Sequence, residues 1–551
     1  MGCPYTNSME RSISFLFPLL AAVAFAQTPQ PPQALAAGYN SIRANDLRAD
    51  LTFLSSDEME GRLSLEKGSE IAIRWIAAEF EKAGLKPMVG QSYLQPVPLI
   101  DYKPARDQTS LTLKRNGTSN KYSAPDALAS FPDDLSVTGR VVFAGYGITA
   151  PELGYDDYAG LDVKGRVAIV FNHEPQEDDE KSIFNGKGNT RYANNRAKML
   201  NAVKHGAAAL LIAPDPNHNP NRQRGPIGQP ATTATGQPYI RPTQAIADEG
   251  AIPIFTISQK LADDLLAVTG KKPSELQSLI DATLKPISSA LENTEVELHT
   301  ATSTRRRGTS YNVMGLLEGG DPSLKAETIV ISAHYDHDGP SPSGGIFHGA
   351  DDNGSGTVGV VALAKAFGMN PVKPKRSIVF IVFAAEERGL LGAYYYTAHP
   401  LRPLEKTVAV INFDMIGRNE TPSRQTDGLI EIAKDTSNEL NVIGTKYSPM
   451  YRASVEKQNK TVGLNLNYKW DEDTILSVLF RSDQYPFLMH DIPAMWWFTG
   501  FHPDYHQITD TAEKINYAKM EKILRLAYLT GFEFGDSKQP PAFLARGASS
   551  Q

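Results

Sequence analysis

Five short segments in the last two-fifths of this 551-residue chain carry side chains able to hold a divalent cation. They are His334-Tyr335-Asp336, Asp352 within Gly349-Ala350-Asp351-Asp352-Asn353-Gly354-Ser355-Gly356, the pair Glu386-Glu387, Asp414, and His506. Imidazole nitrogens and carboxylate oxygens with no thiol among them form a donor set that suits zinc. Taken singly, none is specific. An HxD triplet is commonly a core or surface histidine, paired glutamates commonly start a solvated helix, and a lone aspartate after a strand is commonly a cap.

Their weight comes from the elements that must position them. Four strongly apolar runs, Ile329-Val330-Ile331, Ile378 to Phe383, Val408 to Phe413 and Ala494 to Phe498, precede His334, Glu386, Asp414 and His506 in turn. Runs this apolar, separated by helical stretches such as Thr357 to Phe367, predict strands buried on both faces of a mostly parallel sheet with helices on both sides. Ligands in open α/β sheets gather beyond the carboxyl ends of the strands, so groups far apart in sequence converge there. Bringing several acids together in such a place is costly unless cations neutralise them. Asp352 leads into a helix and is expected near its N-terminus.

The bulk composition agrees with a folded enzyme-sized body. A chain of this length exceeds one hydrophobic core, and 41% hydrophobic with 21% charged residues is globular rather than fibrous or disordered. A net charge of −7 and the lack of a long basic run argue against nucleic acid as a partner. The short cluster Arg305-Arg306-Arg307 is expected in a solvated loop. Arg11, the apolar stretch Ile13 to Val23 and the triplet Ala24-Phe25-Ala26 read as an export signal cleaved after Ala26. The apolar stretch is shorter than the ~20 residues of a membrane span. Cleavage would remove Cys3, the only cysteine, and place a disulfide-free protein in a periplasm or the medium without stable membrane insertion.

Upstream, Gly68 to Gly84 has the spacing of a core-packing helix, with Ile71, Ile73, Trp75, Ile76 and Phe80 on or near one face. From about Leu128 to Lys285 short β-type runs, Val141-Val142-Phe143 and Val167 to Phe171 among them, alternate with Gly-, Asn- and Pro-rich loops. Asp215 to Pro242 is almost entirely turn-forming.

The five metal-type segments, together with Asn412-Phe413-Asp414-Met415 and Tyr505-His506-Gln507-Ile508-Thr509-Asp510-Thr511, stand in the order of the co-catalytic two-zinc aminopeptidases, which the chain resembles over 285–530. Relatives of that family include glutamate carboxypeptidase II and the transferrin receptor ectodomain. Leu54 to Arg62 resembles the N-terminal part of the same domain, and 128–285, notably Gly145-Tyr146-Gly147 and Leu161 to Val167, resembles an inserted protease-associated (PA) domain. The expected division is a signal peptide at 1–26, peptidase segments at 27–127 and 286–535 around the insert at 128–285, and a tail at 536–551.

The resemblance implies two Zn2+ ions per chain, peptide substrates and a set of roles. His334 and Asp414 would hold one ion, Glu387 and His506 the other, and Asp352 would bridge both. Glu386 would be the general base acting on a metal-bridging water, and Tyr505 a phenol donating to the developing oxyanion. Asp336 would sit behind His334 and accept its second ring N–H. Cleavage at the N-terminus of peptides is the expected activity. Carboxypeptidase chemistry is the main alternative, a non-catalytic receptor and a one-zinc cyclase the others. Trp496, Trp497 and Phe498 are expected to be buried strand residues, and Arg481-Ser482-Asp483 receives no role.

Overall fold

The computed structural model describes residues 1–2, 4, 30–218, 243–426 and 428–545. The expected export signal and its cleavage point, and most of the turn-rich interval 215–242, lie outside the described residues. Among the described residues no helix is long and apolar enough to cross a membrane.

All four apolar runs are strands. Ser377–Phe383, Thr328–His334, Thr407–Phe413 and Ala494–Phe498 lie side by side in that spatial order, and each neighbouring pair is parallel. Antiparallel strands flank these on both sides, Thr302–Leu317 and Leu94–Pro104 beyond Ser377–Phe383, and Glu439–Ile443 beyond Ala494–Phe498. Successive side chains of a strand face opposite sides, and the two sides are separate apolar layers. Ile329, Ile331, Phe380 and Trp497 pack with the helices Lys67–Lys82, Gly356–Met369 and Tyr517–Asp536. Val330, Val379, Ile381, Trp496 and Phe498 pack on the other face with Leu391–Ala398 and Gln484–Leu488. This is the expected α/β architecture with helices on both faces, and its three consecutive aromatics are buried strand residues.

A second, eight-stranded sheet is built mostly from residues between 110 and 300 and has its own cores on both faces. Leu135–Phe143, Val167–Phe171, Ala209–Ala213 and Ile254–Ile257 form its parallel centre. One strand departs from it. Thr243–Ile246 falls in sequence between two neighbours of the second sheet, yet pairs antiparallel with Leu94–Pro104 at the edge of the central sheet. An uncovered edge leaves a row of unpaired backbone groups, so the insert supplies the strand that satisfies this one. A second tie is Arg191, whose backbone N–H donates to the Tyr447 hydroxyl (2.8 Å) and whose carbonyl accepts from the Tyr485 hydroxyl (2.6 Å).

The arginine cluster differs from expectation. Arg305, Arg306 and Arg307 lie in the strand Thr302–Leu317, at its exposed end, and pair with Asp133, Glu66, Asp101 and Asp248. Exposed strand positions suit long charged side chains, and four acids lie within ion-pair distance of the run.

Candidate metal centre

The parallel strands end at one level, and their ends carry the polar groups. His334 is the last residue of its strand, Asp414 directly follows Thr407–Phe413, and Glu386 and Glu387 open the turn after Ser377–Phe383. Asp352 lies in the irregular turn Ala350–Ser355 that leads into the helix Gly356–Met369. Four hydrogen bonds hold that turn. Asn353 donates from Nδ2 to the Phe413 carbonyl (2.9 Å) and accepts at Oδ1 from Gly356 N–H (2.9 Å). Asp510 Oδ2 accepts the backbone N–H groups of Asp351 (2.9 Å) and Asp352 (3.2 Å). Gly349 enters the turn at φ +55°, where a Cβ would lie 2.1 Å from the Asp352 carbonyl and 2.6 Å from the His337 ring, so only glycine fits.

His334 Nε2 faces three carboxylates: Asp414 Oδ1 at 3.5 Å, Glu386 Oε2 at 3.6 Å and Asp352 Oδ1 at 3.7 Å. His506 Nε2 lies 3.2 Å from the other oxygen of Asp352, Oδ2, and 3.3 Å from Glu387 Oε2. The five residues expected to be ligands are therefore together, with Asp352 shared between two clusters. Ligand atoms ~2.0–2.1 Å from a tetrahedral ion stand ~3.3–3.4 Å from one another, close to the separations observed. His334 Nε2 is buried and has no hydrogen-bond partner among the described residues, as a nitrogen aimed at an ion should be. The donors thus fit a zinc-type cation in chemistry and in spacing.

The electrostatics agree. Burial, joined by the charges of Asp414, Asp483 and Glu387, drives the Glu386 carboxyl well above its ordinary range. Asp414 is pushed up by burial too. Burial acts the same way on Asp352, but the hydrogen bond to His506 and the charges of His337, His506 and His334 outweigh it and hold the group low. The imidazoles of His334 and His506 are raised well above the usual histidine range: burial opposes this, and the surrounding carboxylates overcome it. So many acids around two imidazoles is a region that retains protons unless another cation takes their place.

Asp336 behaves differently from expectation. His334 Nδ1–H donates to the backbone carbonyl of Asp336 (3.2 Å), and the Asp336 carboxylate stays 3.8 Å away. That carboxylate instead accepts the backbone N–H groups of Glu386 (3.0 Å) and Glu387 (3.4 Å). The strand ends at His334 and the chain turns, which sends the carboxylate toward the neighbouring strand's exit and its unsatisfied donors. Burial lifts this group to about 6, against the lowering effect of His334.

Three further residues belong to the site although motif reading passed over them. Asp338 Oδ2 accepts from His506 Nδ1 (2.7 Å), and its Oδ1 accepts from Arg388 Nη1 (3.1 Å). His337 Nδ1 pairs with Glu387 Oε1 at 2.5 Å, leaving Oε2 to face His506. Arg62, fully buried, donates to the carbonyls of Tyr335 (2.7 Å), Leu54 (2.8 Å), His348 (2.7 Å) and Gly349 (2.8 Å), binding the His334 and Asp352 loops together; burial lowers it to about 10. Asp338 and His337 stand inside the run His334–Asp338 and were open to notice; Arg62, 272 positions before His334, carried no local signal beyond the Leu54–Arg62 resemblance. Tyr505 is half-buried beside His506, with ring centroids 4.2 Å apart, and its hydroxyl oxygen accepts from Arg481 Nη2 (3.0 Å).

Residues 312–530 match the model of Peptidase family M28, and residues 137–265 match the PA domain. Among curated relatives, leucine aminopeptidase 2 of Trichophyton rubrum is 28% identical over 229 residues, covering 38% of this chain and 41% of the relative. Aminopeptidase NAALADL1 of Mus musculus is 27% identical over 348 residues, covering 53% of this chain and 45% of the relative. The matches thus span less than half the length of these relatives. The solved aminopeptidase from Aneurinibacillus sp. strain AM-1 aligns at 19% identity over 91% of this chain and 96% of its own, with a TM-score of 0.46. His334, Glu387, Asp414 and His506 all fall within the residues that match Peptidase family M28, and the parallel pairings at the centre of the second sheet fall within those that match the PA domain.

Proposed function

We propose that the protein is a zinc exopeptidase that removes residues from the N-terminus of peptides and works with two ions per chain. One observation carries the reading: Asp352 turns Oδ1 toward His334 and Oδ2 toward His506, the arrangement of a carboxylate shared by two cations. His334 and Asp414 would hold one zinc, Glu387 and His506 the other. When bound, the pair supplies Lewis-acid polarisation of the scissile carbonyl and of the attacking water.

The chain's own groups do the rest. Glu386, whose carboxylate lies 3.6 Å from His334 Nε2, takes the proton from water and passes it to the leaving amine. Asp336 fixes the turn that presents Glu386 and Glu387 by holding both backbone N–H groups. Tyr505 donates its O–H to the oxygen that becomes negative as the tetrahedral carbon forms. The surrounding buried layer keeps these charges in a low-dielectric environment, where they act strongly. The inserted domain governs access rather than the chemical step. Export is part of the proposal and rests on the leader at 1–26.

The test is a panel of aminoacyl chromogenic amides and of N-blocked peptides with free carboxyl ends, each with and without chelator. Chelator-sensitive hydrolysis of the aminoacyl amides alone is expected. Cleavage only of the N-blocked peptides would replace this reading with a carboxypeptidase.

A further inference from the structure

Arg481 is half-buried in the wall of the site, directly before Ser482 and the buried Asp483. Its guanidinium lies over the Phe501 ring, 4.9 Å from the centroid, and 5.8 Å from that of Tyr505. Nη2 donates to the Tyr505 oxygen at 3.0 Å, while Nη1 is buried and has no hydrogen-bond partner among the described residues. The Tyr505 ring is itself fixed between Phe501 and His506, edge to face with each at centroid distances of 5.3 and 4.2 Å.

A guanidinium has five N–H donors and no acceptor. In its bond with Tyr505 the phenol oxygen must therefore be the acceptor, and the phenol hydrogen must point elsewhere. Among the described residues this is the one hydrogen bond of the Tyr505 hydroxyl. Without such a partner a hydroxyl rotates to whichever acceptor is nearest. With it, one side of the oxygen is taken, and the remaining directions lead away from Arg481. A cation donating to the oxygen also draws electron density from the O–H bond and makes the hydroxyl a stronger donor.

We propose that Arg481 is a positioning residue: it orients and polarises the Tyr505 hydroxyl, so that the O–H is aimed at the substrate oxygen before the reaction begins. The proposal rests on Tyr505 facing the scissile carbonyl, as set out above. Donors arranged in advance need no reorganisation as charge develops, which is the main source of their effect on rate.

The experiment is a double-mutant cycle on full-length, zinc-loaded protein, comparing wild type, Arg481→Met, Arg481→Lys, Tyr505→Phe and Arg481→Met/Tyr505→Phe. Four quantities are read: kcat and KM on an aminoacyl amide, affinity for an α-aminoalkylphosphonic acid whose tetrahedral anion imitates the intermediate, and zinc content. Since loss of one oxyanion donor costs about 10²–10³-fold, Arg481→Met should lower kcat by about 10–100-fold, with KM nearly unchanged, and weaken phosphonate binding by a similar factor. Zinc content should stay at the wild-type value, and Arg481→Lys should recover part of the loss. In the Tyr505→Phe background the same change should cost less than about threefold, because its target is gone. Losses that multiply in the double variant, a change confined to KM, or loss of zinc in both Arg481 variants would each overturn the proposal. If wild type cleaves no aminoacyl amide, the functional reading fails, and the phosphonate cycle still decides whether Arg481 acts through Tyr505.

Discussion

His506 is held from behind by Asp338, whose Oδ2 lies 2.7 Å from the imidazole Nδ1 and whose other oxygen accepts from Arg388. The bond turns Nε2 toward Asp352 and Glu387, and fixes the ring in that direction. Carboxylates in this position typically contribute 10–100-fold to metal affinity. Asp338→Ala should therefore weaken one of two zinc sites by about that factor while the other fills normally. Competitive zinc titration with a chromophoric chelator reads both affinities. Two unchanged sites would mean that the Asp338 bond is incidental.

Glu386 and Glu387 are neighbours with different surroundings. Glu387 is shared between His337 and His506, and Glu386 points toward His334. Glu386→Gln keeps the size and removes the basic oxygen, so kcat should fall about 10²–10⁴-fold while zinc content stays at two. Glu387→Gln should weaken one zinc site and be partly rescued by excess zinc. The opposite pattern, with metal lost from the Glu386 variant and rate alone lost from the Glu387 variant, would exchange the two roles.

The second sheet carries a pH dependence of its own. Burial raises Asp157 to about 7 and Glu174 to about 8, against hydrogen bonds that work to lower each. In the unfolded chain both groups lose their protons near pH 4. Between about pH 5 and pH 7 the folded state therefore binds more protons than the unfolded one, and stability falls as pH rises through this window. The thermal midpoint of zinc-loaded protein should decrease from pH 5 to pH 7.5. Asp157→Asn, which keeps an acceptor for the Tyr146 and Ile148 N–H groups, should flatten the decrease. An identical slope in the variant would show that Asp157 ionises normally.

Much of the central sheet was legible in the sequence because its strands are buried on both faces and so read as unbroken apolar runs. The candidate ligands near their ends followed from the same pattern, since parallel strands all exit at one edge. What lay beyond the ends was not legible. Alternation stops at His334, and nothing in the order His-Tyr-Asp-His-Asp says that Asp336 caps the glutamate turn while Asp338 holds His506. Arg62 acts through four backbone carbonyls, which leave no trace in residue type. The crossing of Thr243–Ile246 to the central sheet was equally hidden, because a four-residue strand after a turn-rich interval has no periodicity to assign it to one sheet or the other.

The central claim is that Asp352 stands between two zinc ions. The most direct measurement is titration of zinc into chelated, full-length protein, with bound metal counted by mass spectrometry under native conditions and aminoacyl amide hydrolysis followed in parallel. Two equivalents per chain should bind, with full activity only when both are present, and Asp352→Ala should lower the affinity of both sites together. A single equivalent giving full activity, or an Asp352→Ala variant that still binds two ions as wild type does, would contradict the account.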